Sequence, residues 1–153
     1  MQKIIISSLL LLLFQPLTNA QEALRKAQFN TEKSLAVSGY DIVSYYNQKK
    51  PSKGKAEFSV SFQGIQYQFS NNANKEAFKA NPIKYEPVYG GWCAYAMGAK
   101  GEKVSVDPET YKIVNGKLYL FYNQFFNNTL KDWNKDEVNL MTKANTNWNK
   151  FFH

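Results

Sequence analysis

Glu57-Phe58-Ser59-Val60-Ser61-Phe62-Gln63-Gly64-Ile65-Gln66-Tyr67-Gln68-Phe69 is the stretch that decides the fold class. Phe58, Val60 and Phe62 alternate with Glu57, Ser59 and Ser61, and Ile65, Tyr67 and Phe69 resume the alternation after Gln63-Gly64. A period of two puts every second side chain on one face, and glycine accepts the positive φ of a tight turn. The stretch therefore reads as a β-hairpin with one buried face. Ser70-Asn71-Asn72 then offers side-chain oxygens suited to a helix N-cap, Ala73, Ala77 and Phe78 recur on one helical face, and Asn81-Pro82 halts the chain. The unit is β-β-α.

Moving toward the C-terminus, Tyr89-Gly90-Gly91-Trp92-Cys93-Ala94-Tyr95-Ala96-Met97-Gly98 follows two prolines, Pro82 and Pro87. Its paired glycines permit a close backbone approach, and the residues after them are expected to form a short helix that ends at Gly98. Tyr111 and Ile113 face Leu118 and Leu120 across Asn115-Gly116, the strongest short hairpin signal because both turn positions need positive φ. Asn134 with Glu137 has the spacing of a capping box, and Val138, Met141, Trp148 and Phe152 recur at helical intervals, predicting a C-terminal helix with these residues in the core. The fold class is α+β, a small single domain with two β-hairpins, a β-β-α unit and a C-terminal helix.

Moving toward the N-terminus, Lys3 precedes an apolar run, Ile4 to Phe14, broken only by Ser7-Ser8 and followed by Gln15-Pro16-Leu17-Thr18-Asn19-Ala20. That order is the n-region, h-region and cleavage region of a secretory signal peptide, and the run is shorter than the roughly 20 residues a membrane span needs. Residues 1–20 are thus expected to be removed before Gln21, and the protein to be exported to a periplasm or secreted. Residues 21–34 read as a polar or helical lead-in. An exported chain can form disulfides, yet Cys93 is its single cysteine, so no internal bridge can form. The formal charge of +7 rests almost wholly on lysine. The lysines are scattered and Arg25 is the lone arginine, which fits a solvated surface and predicts neither a nucleic-acid partner nor a membrane partner once the leader is gone.

Gly39-Tyr40-Asp41-Ile42-Val43-Ser44-Tyr45-Tyr46, then Gly64-x-x-Tyr67-x-Phe69-Ser70, Phe78-x-x-Asn81-Pro82-x-x-Tyr85, Tyr89-Gly90-Gly91-Trp92-Cys93-Ala94, Asp107-Pro108 and Asn115-Gly116-Lys117-Leu118-Tyr119-Leu120 occur in that order. Together they resemble the YHS-domain family, in the manner of its exported branch, over roughly residues 35–148. The YHS-like domain is accordingly expected over 35–153. The resemblance implies a link to metal, since YHS domains occur in copper-transporting ATPases and are suspected of binding metal through two cysteines. Ser70 and Asn74 stand about where that pair falls, so the thiolate site does not carry over. It also implies a functional cysteine at the position of Cys93, which recurs in the exported branch.

Cys93 and Met97, four residues apart on a helix, would share a face and pair a thiolate with a thioether, soft donors that suit Cu(I). Alternatively Cys93 acts alone as a redox thiol, or the domain is a small-ligand module without metal. Tyr40, Asp41, Tyr45, Trp92 and Asp107 are candidates to line a pocket beside Cys93, against the plainer reading that the two aspartates cap turns. The single histidine, His153, is the last residue, which leaves no well-placed general base for a hydrolase. A binding or accessory protein, rather than an enzyme, is the expected class, with a metal ion or a small ligand as its partner.

Overall fold

Lys55–Phe62 (β3) and Ile65–Phe69 (β4) pair antiparallel around Gln63-Gly64, whose φ values of 46° and 81° make a left-handed two-residue turn. The computed structural model that shows this describes residues 15–152; most of the expected leader, Met1 to Phe14, and His153 lie outside the described residues. Upstream of the hairpin come α1 (Gln15–Gln28), β1 (Thr31–Glu32), β2 (Leu35–Ala36) and α2 (Ser44–Asn47). Downstream come α3 (Asn72–Ala80), α4 (Pro82–Tyr85), α5 (Ala94–Ala99), β5 (Asp107–Val114), β6 (Lys117–Phe121), β7 (Asn123–Gln124), β8 (Asn127–Asn128), α6 (Thr129–Trp133) and α7 (Glu137–Asn149). The class is α+β, as the sequence pattern predicts.

The main sheet has the order β1-β2-β4-β3, with β2 and β4 parallel and the other pairs antiparallel. Ile65, Tyr67 and Phe69 point fully inward, whereas Phe58, Val60 and Phe62 are half-buried because β3 is the edge strand. Within residues 21–34, helix α1 extends to Gln28 and is tied to the rest of the domain. Arg25 reaches Glu86 at 2.6 Å and stacks 4.3 Å over the Phe29 ring, and Trp92 donates its Nε1–H to the Gln28 carbonyl at 2.6 Å.

The hairpin β5–β6 turns at Asn115-Gly116 as expected, and β6 divides the core. Leu118 and Leu120 join Ile42, Tyr45, Phe69 and Phe78 on one side, and Tyr119 and Phe121 join Met97, Trp133 and Leu140 on the other. A strand buried on both faces reads as a near-continuous apolar run, which is what Leu118-Tyr119-Leu120-Phe121 is. Each of these side chains contributes on the order of 1.5–3 kcal/mol by leaving water.

Three expectations about helices need correction. On α3 the inward positions are Asn74 and Phe78, while Ala73 is exposed, because the Asn74 amide is needed inside. The short helix α5 runs past Gly98 to Ala99; Gly98 is not a terminator but a contact, since a Cβ there would stand 2.5 Å from the Leu140 carbonyl oxygen of α7. The capping box at Asn134 does not form either. Asp136 takes the N-cap position of α7 without a side-chain bond, and Val138 is 81% exposed, so the inward stripe is Leu140 and Ala144, with Met141 and Trp148 partly buried beside it.

Glu137 is diverted from capping by other partners. Its carboxylate accepts from Lys112 Nζ at 2.9 Å and from Trp133 Nε1 at 3.0 Å, and the Lys112 bond in particular holds its pKa below the usual carboxylate value. A depressed folded pKa means stability that is complete above the unfolded value of about 4.3 and is lost as pH falls through the folded one. Glu137→Gln is therefore expected to cost about 1 kcal/mol at neutral pH and to cost almost nothing in acid, below the folded pKa. Denaturant midpoints of the two proteins across the acid range check this, and a penalty independent of pH would contradict it.

Candidate functional site

Cys93 stands where three pieces of backbone converge. Tyr89, Gly90 and Gly91 all have positive φ, 55°, 58° and 83°, and reverse the chain just before it. The glycine at 90 is required twice, since a Cβ would lie 2.9 Å from the Trp148 ring and 3.0 Å from the Phe29 ring. The Cys93 N–H then donates to the Val104 carbonyl at 2.9 Å, the residue forms an isolated parallel bridge with Leu120 of β6, and its own carbonyl accepts from Met97 N–H as α5 begins. Cys93 is thus the N-cap of α5, with extended ψ of 117°, rather than a residue within it.

That position sends its sulfur away from Met97. The Sγ accepts from the Tyr122 N–H at 3.4 Å and lies 3.4 Å from Thr129 Oγ1. Thr129 spends its own proton on the Tyr122 carbonyl at 2.9 Å, so in the thiol form the S–H donates to Thr129. The sulfur is fully buried, yet it forms the floor of a cleft of about 380 Å³ whose walls include Tyr95, Lys100, Glu102, Tyr122 and Asn127. Met97 is not among the lining residues; it packs in the core with Tyr89, Trp133 and Leu140. The spacing of four residues brings the two sulfurs onto one segment without giving them one site.

The remaining pocket candidates do not gather around Cys93. Asp41 is sealed from solvent and fully used: Oδ1 accepts from the N–H groups of Val43 at 2.9 Å and Ser44 at 3.2 Å, and Oδ2 accepts from Ser70 N at 2.8 Å, Ser70 Oγ at 2.6 Å and Asn74 Nδ2 at 2.7 Å. Asp107 caps its own turn, accepting from Glu109 N–H and the Thr110 hydroxyl. The Tyr40 and Tyr45 hydroxyls donate across to that turn, to Glu109 Oε1 at 3.0 Å and the Pro108 carbonyl at 2.8 Å. Burial above all, then neighbouring acidic groups, pushes the Tyr40 hydroxyl pKa up. Trp92 lines a different cavity of about 330 Å³, together with Asn30, Ser38 and Val106. The plainer reading of Asp41 and Asp107 as turn caps describes what these side chains do.

Asp41 also accounts for Ser70 and Asn74. Both side chains that occupy the places of the resemblance's two ligands donate to one carboxylate oxygen, and a hydroxyl and an amide are hard groups that offer a soft ion no sulfur. Among the described residues no group of three or more His, Cys, Asp or Glu side chains is arranged to hold a metal ion. Sequence reasoning missed Thr129, Tyr122 and Tyr95 as parts of the Cys93 site, because they come from three elements whose convergence has no local signature. No protein-family model, no curated protein and no solved structure matches the chain.

Proposed function

We propose that the protein is an exported, YHS-like binding or accessory module that takes a small, soft ligand at Cys93 in the cleft between α5, Tyr122 and the start of α6. The observation that carries this is the placement of the chain's single thiol at the floor of a cleft large enough for a small molecule, flanked by a backbone N–H and a hydroxyl within hydrogen-bond reach. The leader pattern supports export, and the ordered motif blocks support the family reading.

The donor set does not fit a resident copper centre. One thiol faces the cleft and the nearest thioether in sequence, Met97, is enclosed by core side chains. Cu(I) held on a single protein sulfur would share its coordination with another molecule, which suits an accessory protein that receives and passes on its cargo.

Competition titration with Cu(I) against a chromogenic chelator tests the assignment. Cys93→Ser is expected to weaken binding by about a hundredfold or more, the loss of the one soft donor, whereas Met97→Leu is expected to leave affinity within about threefold. Equal losses in both variants would restore the paired-sulfur site and overturn the present geometry. Failure of the native protein to compete would remove Cu(I) from the candidates and leave a thiol-seeking organic ligand or a redox partner of the lone thiol.

A further inference from the structure

Among the described residues, four two-residue hairpin turns have positive φ at both positions: Lys33-Ser34, Gln63-Gly64, Asn115-Gly116 and Phe125-Phe126. Gly64 and Asn115-Gly116 are residues that favour the left-handed region, and Lys33, Ser34 and Gln63 are polar side chains without an aromatic ring to hold there. Phe125-Phe126 joins β7 to β8 with φ of 50° and 63°, and a bulky aromatic there is strained. The strain is not repaid by burial. Phe125 leaves 87% of its surface in solvent and Phe126 all of it. The chain demonstrates at Asn115-Gly116 that it can build the same turn without strain, so what Phe125 and Phe126 contribute is their rings, held outward at the tip of a six-residue hairpin.

A convex apolar tip must be covered by something that yields around it. The residues bordering the rings are the exposed amides Gln124 and Asn127, which can hydrogen-bond at a polar boundary, while Asn123 and Asn128 behind them bond inward to Thr110 Oγ1 and the Leu130 N–H. Two exposed lysines stand near its base, Lys100 on the cleft wall shared with Asn127 and Lys131 in the first turn of α6, in a chain of formal charge +7. Apolar rings at the apex, amides below them and cations behind match, in that order, the acyl boundary, the headgroup layer and the anionic surface potential of a bilayer. We propose that the Phe125-Phe126 hairpin is a membrane-surface anchor that seats its rings in the interfacial zone of an anionic lipid bilayer. The scattered lysines alone point to no membrane partner; the tip supplies the apolar element they lack. The proposed attachment is peripheral, through the hairpin tip; no described helix is long and apolar enough to cross a membrane.

Two rings and a few lysines give reversible binding rather than permanent anchoring, as the modest affinity of single lipid chains shows. The anchor would hold the Cys93 cleft, which shares Asn127 with the hairpin, close to the membrane surface. The inference does not depend on what the cleft binds.

The test is sedimentation of the purified protein, its N-terminus sequenced to exclude an uncleaved apolar leader, with vesicles of phosphatidylcholine alone or mixed in equal parts with phosphatidylglycerol. The expected result is binding to the mixed vesicles that weakens as salt is raised, and an affinity about tenfold lower for the Phe125→Asn/Phe126→Gly double variant. That variant adopts the unstrained turn, so it is expected to melt no lower than the native protein and to keep the native Cys93 labelling rate, which separates loss of the anchor from damage to the fold or the cleft. Native protein that stays in the supernatant overturns the proposal, as does a variant that binds mixed vesicles equally well, which would assign binding to the lysines alone. Concentration-dependent self-association that the variant abolishes, without vesicle binding, would overturn it in favour of a second copy of the chain.

Discussion

Replacing Asp41 with alanine is expected to lower stability by about 4 kcal/mol or more, a large share of the roughly 5–15 kcal/mol that holds a domain of this size. Five donors converge on its carboxylate, and once it is gone only Ser44 N–H, through the Asp41 carbonyl at 3.1 Å, and Asn74 Nδ2, through Ser70 Oγ at 3.4 Å, keep a second acceptor. Hydrogen bonds to a charged group are worth about 1.5–3 kcal/mol each, and a buried donor left alone costs about 1–3 kcal/mol. The effects are not additive, since the freed segment between α2 and β3 can relax. Asp41→Asn is nearly as damaging, because an amide can serve either oxygen site but not both: its NH2 group must face Val43 and Ser44 or Ser70 and Asn74, and each is a set of donors. Ser70→Ala and Asn74→Ala each remove a donor and keep the acceptor, so each should cost about 1–2 kcal/mol. Urea midpoints for the four variants check the order, and an Asp41→Asn protein as stable as the native one would show that the network is not what ties α2 to α3.

Trp133→Ala is the second large effect, with an expected loss of about 3–5 kcal/mol. The side chain is completely buried, its ring centroid lies 5.7 Å from that of Tyr119 and 5.6 Å from that of Phe121, and its Nε1–H is the second donor to Glu137. Its position gives the variant a second readout. Trp133 is the last residue of α6, and Thr129, the hydrogen-bond partner of Cys93, is the first, so the indole fixes the helix that covers the thiol. Loss of the indole should both lower the unfolding midpoint and speed modification of Cys93 in the folded protein. A stability loss below about 1 kcal/mol would mean that the second core collapses around the gap, which its density of rings argues against.

The parts of the fold that were legible before the structure are those whose signals are local. Gln63-Gly64 and Asn115-Gly116 announce their turns because glycine at the second position meets a backbone need, and the alternation beside them assigns the faces. Lys33-Ser34 and Phe125-Phe126 adopt the same turn with residues that carry no such signal, so β1, β2, β7 and β8 were invisible. The short helices α2, α4 and α6 contain too few residues to show a period. At Asn134 and Glu137 the spacing was right and the outcome different, because Lys112 and Trp133 compete for the same carboxylate. Tertiary demand outweighed a local rule.

The site was legible in one residue. Cys93 stood out as the lone thiol behind a Gly-Gly turn, and the structure places it on a cleft. Its pairing with Met97 failed on a detail that spacing cannot carry: a residue at an N-cap has extended backbone, so the i, i+4 relation of two residues inside a helix does not govern where its side chain goes. Asp41, Ser70 and Asn74 reverse the case. Asp41 drew notice as a pocket candidate and Ser70 and Asn74 only as the residues in place of a cysteine pair, and together they form a hydrogen-bond network that gives the β-β-α unit its junction with α2.

The central claim, that the thiol serves the cleft and not merely the core, comes down to whether Cys93 can be reached while the protein stays folded. The sulfur is covered by Tyr122 and by Thr129 at the start of α6, and a local opening of this segment costs less than global unfolding. The measurement is the rate of Cys93 modification by a small alkylating reagent across pH, with and without a stoichiometric amount of Cu(I) under reducing conditions. The account predicts labelling that is slower than that of a free thiol but well ahead of global unfolding, and that is suppressed by Cu(I). Labelling that begins only when the whole protein unfolds would make Cys93 a core residue and would contradict the assignment of the cleft.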